Sequence, residues 1–238
     1  MPPGVFVTGT GTEVGKTVAA AAIARTLAAA GRRVAVFKPV VTGLDDYAAD
    51  GPKTGLVVEF SARRPDHELL RLAAGAEQSD EEIAPYRYGP PASPHLAAAQ
   101  AGEEIEPARL LETARAARSG ADALVCEGVG GLLVPLTPSY LVRDLAADLG
   151  LPLVVAASPG LGTINHTLLT LEAARAAGLA VAVVVLTPWP DEPTAIEESN
   201  RKTIAALGEV EVETLPQLDL DRPETWPPLQ VRGLGRVS

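Results

Sequence analysis

The sequence predicts a three-layer α/β sandwich in which helices cover both faces of a mostly parallel central sheet. One observation is that short apolar runs alternate with helical patterns along most of the 238 residues. Another is that the runs at 153–157 and 181–186 are apolar throughout, as is typical of strands covered on both faces. Alternation of this kind favours parallel strands joined by crossover helices.

The elements are predicted in chain order from these patterns. Val5–Val7 is expected to be a strand, and Thr17–Ala30 an alanine-rich helix that ends at Gly31. Later helices are predicted where apolar residues recur at helical spacing: Arg109–Arg118, Asn165–Ala177 and Ile196–Leu207. Further strands are predicted where apolar residues run together: Val34–Phe37, Ala123–Cys126, Leu153–Ala157, Val181–Leu186 and Val210–Leu215.

The length favours one domain over residues 1–238, because α/β domains of this size are common. The stretch Leu44–Arg64 interrupts the alternation with three Asp, two Gly and a Pro, and we expect it to be a loop insertion. The Pro-rich tail from Asp221 is expected to wrap irregularly around the domain.

The composition limits the classes of function. Lys and Arg number 20 against 30 Asp and Glu, so the net charge is −10. This acidity argues against a sequence-independent nucleic-acid binder, which needs a basic face. A single cysteine excludes a disulfide framework and a multi-cysteine zinc site. No apolar stretch approaches the roughly 18 residues of a membrane span. The first residues of the sequence do not resemble a signal peptide, so we expect a soluble cytoplasmic protein without a membrane partner.

A phosphate-binding loop is predicted between the first strand and the first helix. Gly9–Thr17 is a variant of G-x-x-x-x-G-K-[ST], in which Thr10 stands at the strict position of the first glycine and Gly9 makes the loop one residue longer. Backbone N–H groups of such a loop surround phosphate oxygens, and the helix N-terminus adds positive potential. We expect Lys16 to reach the β- and γ-phosphates and the Thr17 hydroxyl to bind Mg²⁺. The strand before and the helix after disfavour a chance glycine-rich turn.

Two charged side chains follow other predicted strands at the same edge of the sheet. Glu127 comes directly after Ala123–Cys126, and Lys38 directly after Val34–Phe37. The carboxyl ends of parallel strands border the crevice in which such folds bind ligands. We therefore expect Glu127 to be a second Mg²⁺ ligand and Lys38 to point into the crevice. The alternatives are that Glu127 is an acid that faces solvent and that Lys38 is an edge lysine whose ammonium group reaches water.

Several motifs together resemble the dethiobiotin synthetase family. They occur in the family's order and cover most of residues 5–218. They are FVTGTGTEVGKT at Phe6–Thr17, KPVVTG at Lys38–Gly43, SPHLAA at Ser93–Ala98, EGVGG at Glu127–Gly131, VPL at 134–136 and LGTINHTLL at Leu161–Leu169. The resemblance implies a P-loop NTPase-like sandwich that acts as a homodimer.

The resemblance also implies an activity, closure of a cyclic urea on 7,8-diaminononanoate with CO₂ and ATP. A carbamate attacks the γ-phosphate, and the second amine captures the carbamic–phosphoric anhydride, so that ADP and phosphate are released. The implied catalytic residues are Lys38, Lys16 and Thr12. The implied nucleotide contacts are Glu13, Val14, Gly15, Lys16, Thr17, Val18, Asp66, Glu127, Gly128, Val129, Gly130, Thr187, Pro216, Gln217 and Leu218. The implied substrate contacts are Thr42 and, across the dimer, Leu161, Gly162, Thr163, Ile164 and Asn165.

By the same resemblance, Mg²⁺ would be held by Thr17, Asp66 and Glu127. Asp66 opens a predicted helix, as the family's acid does, but the insertion lengthens its spacing from Lys38. The alternatives to Asp66 are three acids of the inserted stretch: Asp45, Asp46 and Asp50.

The chain departs from the family at the nucleobase. Family members often have Asn after the strand that matches Val181–Leu186, whereas Thr187 stands here. A hydroxyl cannot reproduce the paired donor and acceptor of an amide, although backbone at 216–218 can still line the base. We therefore expect ATP to be the co-substrate and other nucleoside triphosphates to be accepted.

Two alternative functions share this fold. A partitioning ATPase usually has a lysine five residues before the main one, but Gly11 stands there. Another P-loop amide ligase is disfavoured by the short chain and by the turn at Leu161–His166.

Outside the site, His166 and His95 are predicted to be packed helix residues rather than catalysts, and Cys126 a small core residue.

Overall fold

The computed structural model describes residues 3–47, 64–231 and 234. Strands and helices alternate along them. The helices are α1 (Lys16–Ala29), α2 (Asp66–Ala74), α3 (Asp80–Ile83), α4 (Pro94–Gln100), α5 (Pro107–Ser119), α6 (Val142–Leu149), α7 (Thr163–Ala176) and α8 (Ala195–Gly208). The strands are β1 (Gly4–Gly9), β2 (Val34–Phe37), β3 (Val40–Val41), β4 (Tyr86–Arg87), β5 (Ala123–Gly131), β6 (Pro135–Thr137), β7 (Tyr140–Leu141), β8 (Leu153–Ala157), β9 (Val181–Trp189) and β10 (Val212–Pro216).

Six parallel strands form the central sheet in the order β10-β9-β8-β1-β5-β2. β1 lies inside the sheet, and its Val7 is opposite Glu127 of β5 on one side and Val154 of β8 on the other. Because these strands are parallel, their carboxyl ends meet at one edge. The predicted α/β sandwich with a parallel sheet is confirmed.

The apolar core occupies both faces of this sheet. Val5 and Val7 pack with α1 and α2, whereas Phe6 packs with α5 and α6. On the first face, α1 presents the fully buried run Ala19–Ala22. Such small side chains let the helix lie close to the strand that precedes it, and this contact fixes the start of α1 relative to the end of β1.

The C-terminal segment covers the same face as α1. Trp226, Leu229 and Val231 are buried in the cluster that contains α1. The backbone N–H of Leu229 donates to the Thr26 hydroxyl at 2.9 Å. The expected irregular wrapping of the Pro-rich tail is confirmed as far as residue 231, with one short 3₁₀ turn at Pro223–Thr225.

Some element boundaries differ from the predictions. β5 continues to Gly131 rather than ending at Cys126, and β10 begins at Val212 rather than Val210. Helices α3, α4 and α6 are additional to those predicted; they have four, seven and eight residues, too few turns to establish a helical period.

The expected insertion at 44–64 is described only at its ends. Leu44–Tyr47 forms a 3₁₀ helix. Residues 48–63, which include the candidate Asp50, lie outside the described part of the chain. Within the described ranges, no helix has the length and apolarity needed to cross a bilayer.

Candidate active site

The phosphate loop is a tight turn between β1 and α1. Glu13 and Gly15 both adopt left-handed backbone conformations, with φ of 58° and 84°. The buried ammonium group of Lys16 donates to the carbonyl of Gly11 at 2.8 Å, so the side chain folds back over the loop. Thr12 and Glu13 are exposed at its outer edge. The outer edge of the loop is thus exposed to solvent, and the Lys16 side chain covers its inner side.

Thr187 supports the phosphate loop from below. It is buried within β9, and a Cβ added at Gly15 would collide with its methyl group. The strand was predicted to end at Leu186, but β9 continues to Trp189. This extension places Thr187 against Gly15, just before the start of α1. Pro216, another residue of the predicted base site, pairs with Trp189 at the neighbouring strand end.

Beside the loop, a buried lysine lies between two carboxylates. Lys38 Nζ is 2.5 Å from Glu127 Oε1 and 2.6 Å from Asp66 Oδ2. The Thr17 hydroxyl donates to the same Glu127 oxygen at 2.9 Å. Lys38 is 3 % exposed, the Glu127 side chain is fully buried and the Asp66 side chain is 33 % exposed. We call Thr17, Lys38, Asp66 and Glu127 the lysine–acid cluster.

Neighbouring elements bring the cluster together. Lys38 follows β2, which pairs with β5, and Thr17 lies in the first turn of α1 after β1. Asp66 is the first residue of α2, as predicted from the sequence. Glu127 lies beside Thr17 and Lys38 as predicted, but the strand does not end before it, because Glu127 is the fifth of nine residues of β5. After Glu127 the pairing with β1 shifts register and resumes at Gly131, opposite Gly9.

The charges in the cluster are strongly coupled. Burial alone would lower the pKa of Lys38, but the charges of Asp66 and Glu127 outweigh burial and raise it. Burial would raise the pKa of Asp66, yet Lys38 holds it below its usual value. For Glu127, burial dominates and raises the pKa despite Lys38. Burial, and then repulsion from Lys38, lower the pKa of Lys16. Lys38 is therefore protonated at neutral pH, with ionised Asp66 as a counter-charge.

The side chains of the cluster fit a hard cation. Oε2 of Glu127 is buried and has no hydrogen-bond partner among the described residues, so one carboxylate oxygen is left for a ligand. Two carboxylates and a hydroxyl are oxygen donors of the kind Mg²⁺ takes, usually together with phosphate and water. In the described ranges no three His, Cys, Asp or Glu side chains converge, so a metal here would need those additional ligands.

The competing acids differ in position. Asp45 lies against Gly89, where its carboxylate fills the space of a missing Cβ, and its backbone N–H donates to the Gly89 carbonyl at 3.0 Å. The side chain of Asp46, like all of Asp50, is outside the described part. Asp66 is thus the acid that the structure places next to Lys38.

The predicted substrate residues form a separate group. Leu161–Asn165 spans the turn before α7 and the first three residues of that helix, and a cavity of about 210 Å³ separates this turn from Thr10 and Val14 of the phosphate loop. Leu161 is 96 % exposed. Thr42 is half-buried, directly after β3. The turn before α7 therefore borders the phosphate loop, while Thr42 lies on the chain that leaves Lys38.

One residue that supports this turn was not predicted. Asn200, buried on α8, donates its side-chain amide to the carbonyls of Pro159 and Gly160 at 2.9 and 3.1 Å. Its only sequence signal is a polar residue on the buried side of an amphipathic helix, and that signal does not identify the partner.

The predictions for the two histidines were wrong, and that for the cysteine is confirmed. His166 and His95 are both exposed, on α7 and α4, instead of packed. Helical spacing alone does not say which side of a short or weakly amphipathic helix faces the protein. Cys126 is fully buried in the core, and burial raises the pKa of its thiol.

A phosphate loop closed by a lysine, at the carboxyl edge of a parallel sheet, defines a P-loop nucleotide-dependent protein. The MinC:MinD cell division protein complex of Aquifex aeolicus aligns with 95% of this chain and 87% of that chain, with a TM-score of 0.54 and 14% identity. A ParA family ATPase of Chlorobium tepidum aligns with 92% and 87%, with a TM-score of 0.51 and 13% identity. At these identities the likeness concerns the fold alone.

Sequence comparison assigns the family. A family profile described as an AAA domain matches residues 3–221. The ATP-dependent dethiobiotin synthetase BioD of Anaeromyxobacter dehalogenans strain 2CP-C is 43% identical over 204 residues, which are 86% of this chain and 85% of that protein. The BioD proteins of Rhodococcus jostii and Bacillus subtilis are 41% and 34% identical, over 87% and 86% of this chain and 83% and 82% of their own lengths. The chain belongs to the ATP-dependent dethiobiotin synthetase family.

Proposed function

We propose that this chain makes dethiobiotin from 7,8-diaminononanoate, CO₂ and ATP, and that the phosphate loop and the lysine–acid cluster perform the reaction. Membership of the synthetase family supports the activity. The observation that carries the assignment of residues is the position of Lys16, Lys38, Asp66 and Glu127 at one edge of the sheet. The whole of residues 1–238 is proposed to form one domain, and its cytoplasmic location stays a prediction.

The proposed reaction requires positioning and charge stabilisation rather than covalent catalysis by the protein. One amine of the diamine takes up CO₂ and loses a proton, which gives a carbamate. A carbamate oxygen bonds to the γ-phosphorus as the bond to the β–γ bridging oxygen breaks, and ADP leaves. The second amine attacks the carbamoyl carbon and loses a proton, and inorganic phosphate leaves as the urea ring closes.

Lys16 and Lys38 are proposed to neutralise different parts of the negative charge of the reactants. Lys16 bonds the Gly11 carbonyl inside the phosphate loop, and we assign it to the β- and γ-phosphates. Lys38 lies deeper, and we assign it to the carbamate and the transferred phosphoryl group. Thr12 at the exposed edge of the loop would complete the reacting centre, and Thr42 would hydrogen-bond the diamine. The nucleotide itself would be held by residues 13–18 and 128–130 and by the base site at 187 and 216–218.

A divalent cation fits the oxygen donors described above. Thr17, Asp66 and Glu127 would hold Mg²⁺, which when bound supplies concentrated positive charge to the phosphates. The unpartnered Glu127 Oε2 supports this assignment.

We further propose a homodimer with the substrate site between subunits. Leu161 and Leu169, which belong to the turn before α7 and to α7 itself, are exposed large apolar residues. Exposed apolar side chains are found on surfaces that another chain covers. The N-terminus of α7 would then offer its backbone N–H groups to the carboxylate of the diamine, because helix N-termini favour anions. Sedimentation equilibrium would measure the oligomeric state.

Product formation tests the proposed activity. The protein is incubated with diaminononanoate, bicarbonate and Mg–ATP, and dethiobiotin is followed by mass together with phosphate release. We expect one phosphate per dethiobiotin and little release when the diamine is omitted. ATP hydrolysis that is indifferent to the diamine and gives no dethiobiotin would instead favour a partitioning-type ATPase, for which the fold alone provides support.

The base site leads to a prediction about nucleotide preference. Thr187 has no amide with which to read adenine, and its methyl group packs against Gly15. Discrimination between bases comes from buried polar groups that a wrong base leaves unpaired, at about 1–3 kcal/mol for each group. We therefore expect GTP and CTP to support turnover within about tenfold of ATP, a difference of about 1.4 kcal/mol or less.

The measurement is kcat/KM for each nucleotide at a fixed diamine concentration. Thr187→Asn is the matched variant, and it should increase the preference for ATP if the backbone presents the new amide to the base. A preference for ATP above about a hundredfold in the unmodified protein, roughly 2.7 kcal/mol, would contradict the prediction. In that case backbone groups near Pro216–Leu218 would read the base unaided.

A further inference from the structure

The lysine–acid cluster has a feature that the reaction alone does not explain. The two carboxylates proposed as metal ligands are both already bonded to one ammonium group, at 2.5 and 2.6 Å. Lys38 Nζ is also 3.3 Å from the carbonyl of Gly128. The lysine thus occupies the position between the two acids that a cation bonded to both would need.

A lysine and a divalent cation cannot both take the full charge of these two acids. Asp66 and Glu127 supply at most two negative charges, whereas Lys38 and a divalent ion together carry three positive charges. Inside a buried site, like charges a few ångströms apart repel strongly. Lys38 is too deeply buried for solvent to screen this repulsion. Entry of the ion should therefore require Lys38 to give up at least one of its carboxylate partners.

We infer that Lys38 is an internal substitute for the metal, and that the binding of a divalent cation releases its ammonium group toward the reacting phosphoryl and carbamate groups. The lysine keeps the two acids together and their charge neutralised before nucleotide arrives. It also weakens the binding of free metal, so that the ion binds well only when phosphates add further oxygen ligands. This inference deepens the proposed function and rests on it for the identity of the metal ligands.

Metal binding to the nucleotide-free protein tests the inference without any turnover. Mn²⁺ is the probe, because it accepts the same oxygen ligands as Mg²⁺ and is visible by electron paramagnetic resonance. We expect weak binding to the unmodified protein and binding at least about tenfold tighter to Lys38→Met, since removal of the competing charge frees both acids. Lys38→Arg, which retains the charge, should bind Mn²⁺ as weakly as the unmodified protein.

Two further variants give the measurement its controls. Lys16→Met removes a positive charge that bonds Gly11 rather than the acids, so its gain in Mn²⁺ affinity should be much smaller. Lys38→Met combined with Glu127→Gln should lose the gain. The inference is wrong if Lys38→Met binds Mn²⁺ no more tightly than the unmodified protein, if Lys16→Met gains as much, or if the gain survives in the double variant.

If Lys38→Met unfolds without metal, recovery of its thermal transition by Mn²⁺ but not by K⁺ supports the inference. Failure of Mn²⁺ to restore the transition contradicts it. Because no substrate is present, these outcomes are independent of whether dethiobiotin is formed.

A second inference comes from the contact between α8 and the turn before α7. The Asn200 amide donates to two successive carbonyls, those of Pro159 and Gly160. Gly160 itself, with Leu161 and Thr163 after it, borders the cavity next to Thr10 and Val14. A buried amide with two acceptors defines the orientation of this backbone more tightly than a single contact does.

We infer that Asn200 is a positioning residue that holds the turn at Leu161–Asn165 in the conformation that binds the carboxylate of the diamine. This role depends on the proposed position of the substrate. Asn200→Ala removes both hydrogen bonds and leaves two carbonyls unsatisfied, and Asn200→Asp keeps the size but replaces the donor with an acceptor. Both should therefore release the turn, whereas Lys202→Ala, at an exposed position of the same helix, should not.

The test separates substrate binding from general damage. We expect Asn200→Ala and Asn200→Asp to raise KM for diaminononanoate by about tenfold or more, while KM for ATP stays within about twofold of the unmodified protein. Equal increases in both KM values, or a fall in kcat alone that follows a lower thermal stability, would mean that Asn200 is merely structural. ATP binding in the absence of diamine, measured by titration, shows whether a variant has kept its phosphate loop. A lack of dethiobiotin formation by the unmodified protein would count against the proposed function instead.

Discussion

Replacing Lys38 with alanine should lower the rate of dethiobiotin formation by about 10²–10³-fold, because a positioned cation that stabilises developing charge contributes about that much. Lys16→Ala should cost at least as much and should also weaken ATP binding, since Lys16 lies within the phosphate loop. ATP affinity should partly survive in Lys38→Ala, because this lysine bonds Asp66 and Glu127 rather than the loop. Phosphate release and ATP titration measure the two effects separately.

The control for both variants is Lys202→Ala, in which a 79 % exposed lysine on α8 is removed. Its turnover and ATP affinity should equal those of the unmodified protein. Thermal unfolding should accompany each measurement, because Lys38→Ala leaves two acids without their partner in a buried site. A folded Lys38→Ala variant with near-full turnover would exclude Lys38 from the reaction, and a Lys16→Ala variant with unchanged ATP affinity would exclude Lys16 from the triphosphate site.

Gly15→Ala should both destabilise the protein and prevent tight ATP binding. Gly15 has φ of 84°, a left-handed conformation that costs a residue with a Cβ about 1–3 kcal/mol. The added methyl group would also collide with that of Thr187, which is buried in β9 and cannot move away freely. The phosphate loop or the strand must therefore shift, and the backbone N–H groups of the loop would lose their common orientation.

The same loop provides a matched control for this change. A Cβ at Gly11 would meet nothing within 4 Å, and its φ lies outside the left-handed region. Gly11→Ala should therefore unfold at nearly the temperature of the unmodified protein, whereas Gly15→Ala should lose about 2–4 °C for each kcal/mol of destabilisation. Equal melting temperatures for the two variants would show that the contact with Thr187 does not support the loop.

The sequence contains enough local information to predict most of the fold and the phosphate loop. Strands such as Val34–Phe37 and Leu153–Ala157 are confirmed because continuous apolar runs report burial on both faces directly. The loop is predictable for a related reason: its turn, its lysine and the helix that follows are adjacent in the chain. Short elements such as α3, with four residues, contain too little periodicity to be predicted.

What only the tertiary structure decides are the contacts between residues far apart in the chain. Lys38 and Glu127 are 89 residues apart, and no local pattern states that the lysine lies between that acid and Asp66. Asn200 meets Pro159 across 41 residues for the same reason. The exposure of His95 and His166 depends on which neighbours cover a helix, and the burial of Glu127 depends on the elements packed around β5. The sequence by itself determined the elements and the residue types at the sheet edge, because these follow from periodicity and adjacency. The packing of β1, β2, β5 and α2 decided which charges meet, because Coulomb and hydrogen-bond energies depend on distance in space rather than along the chain.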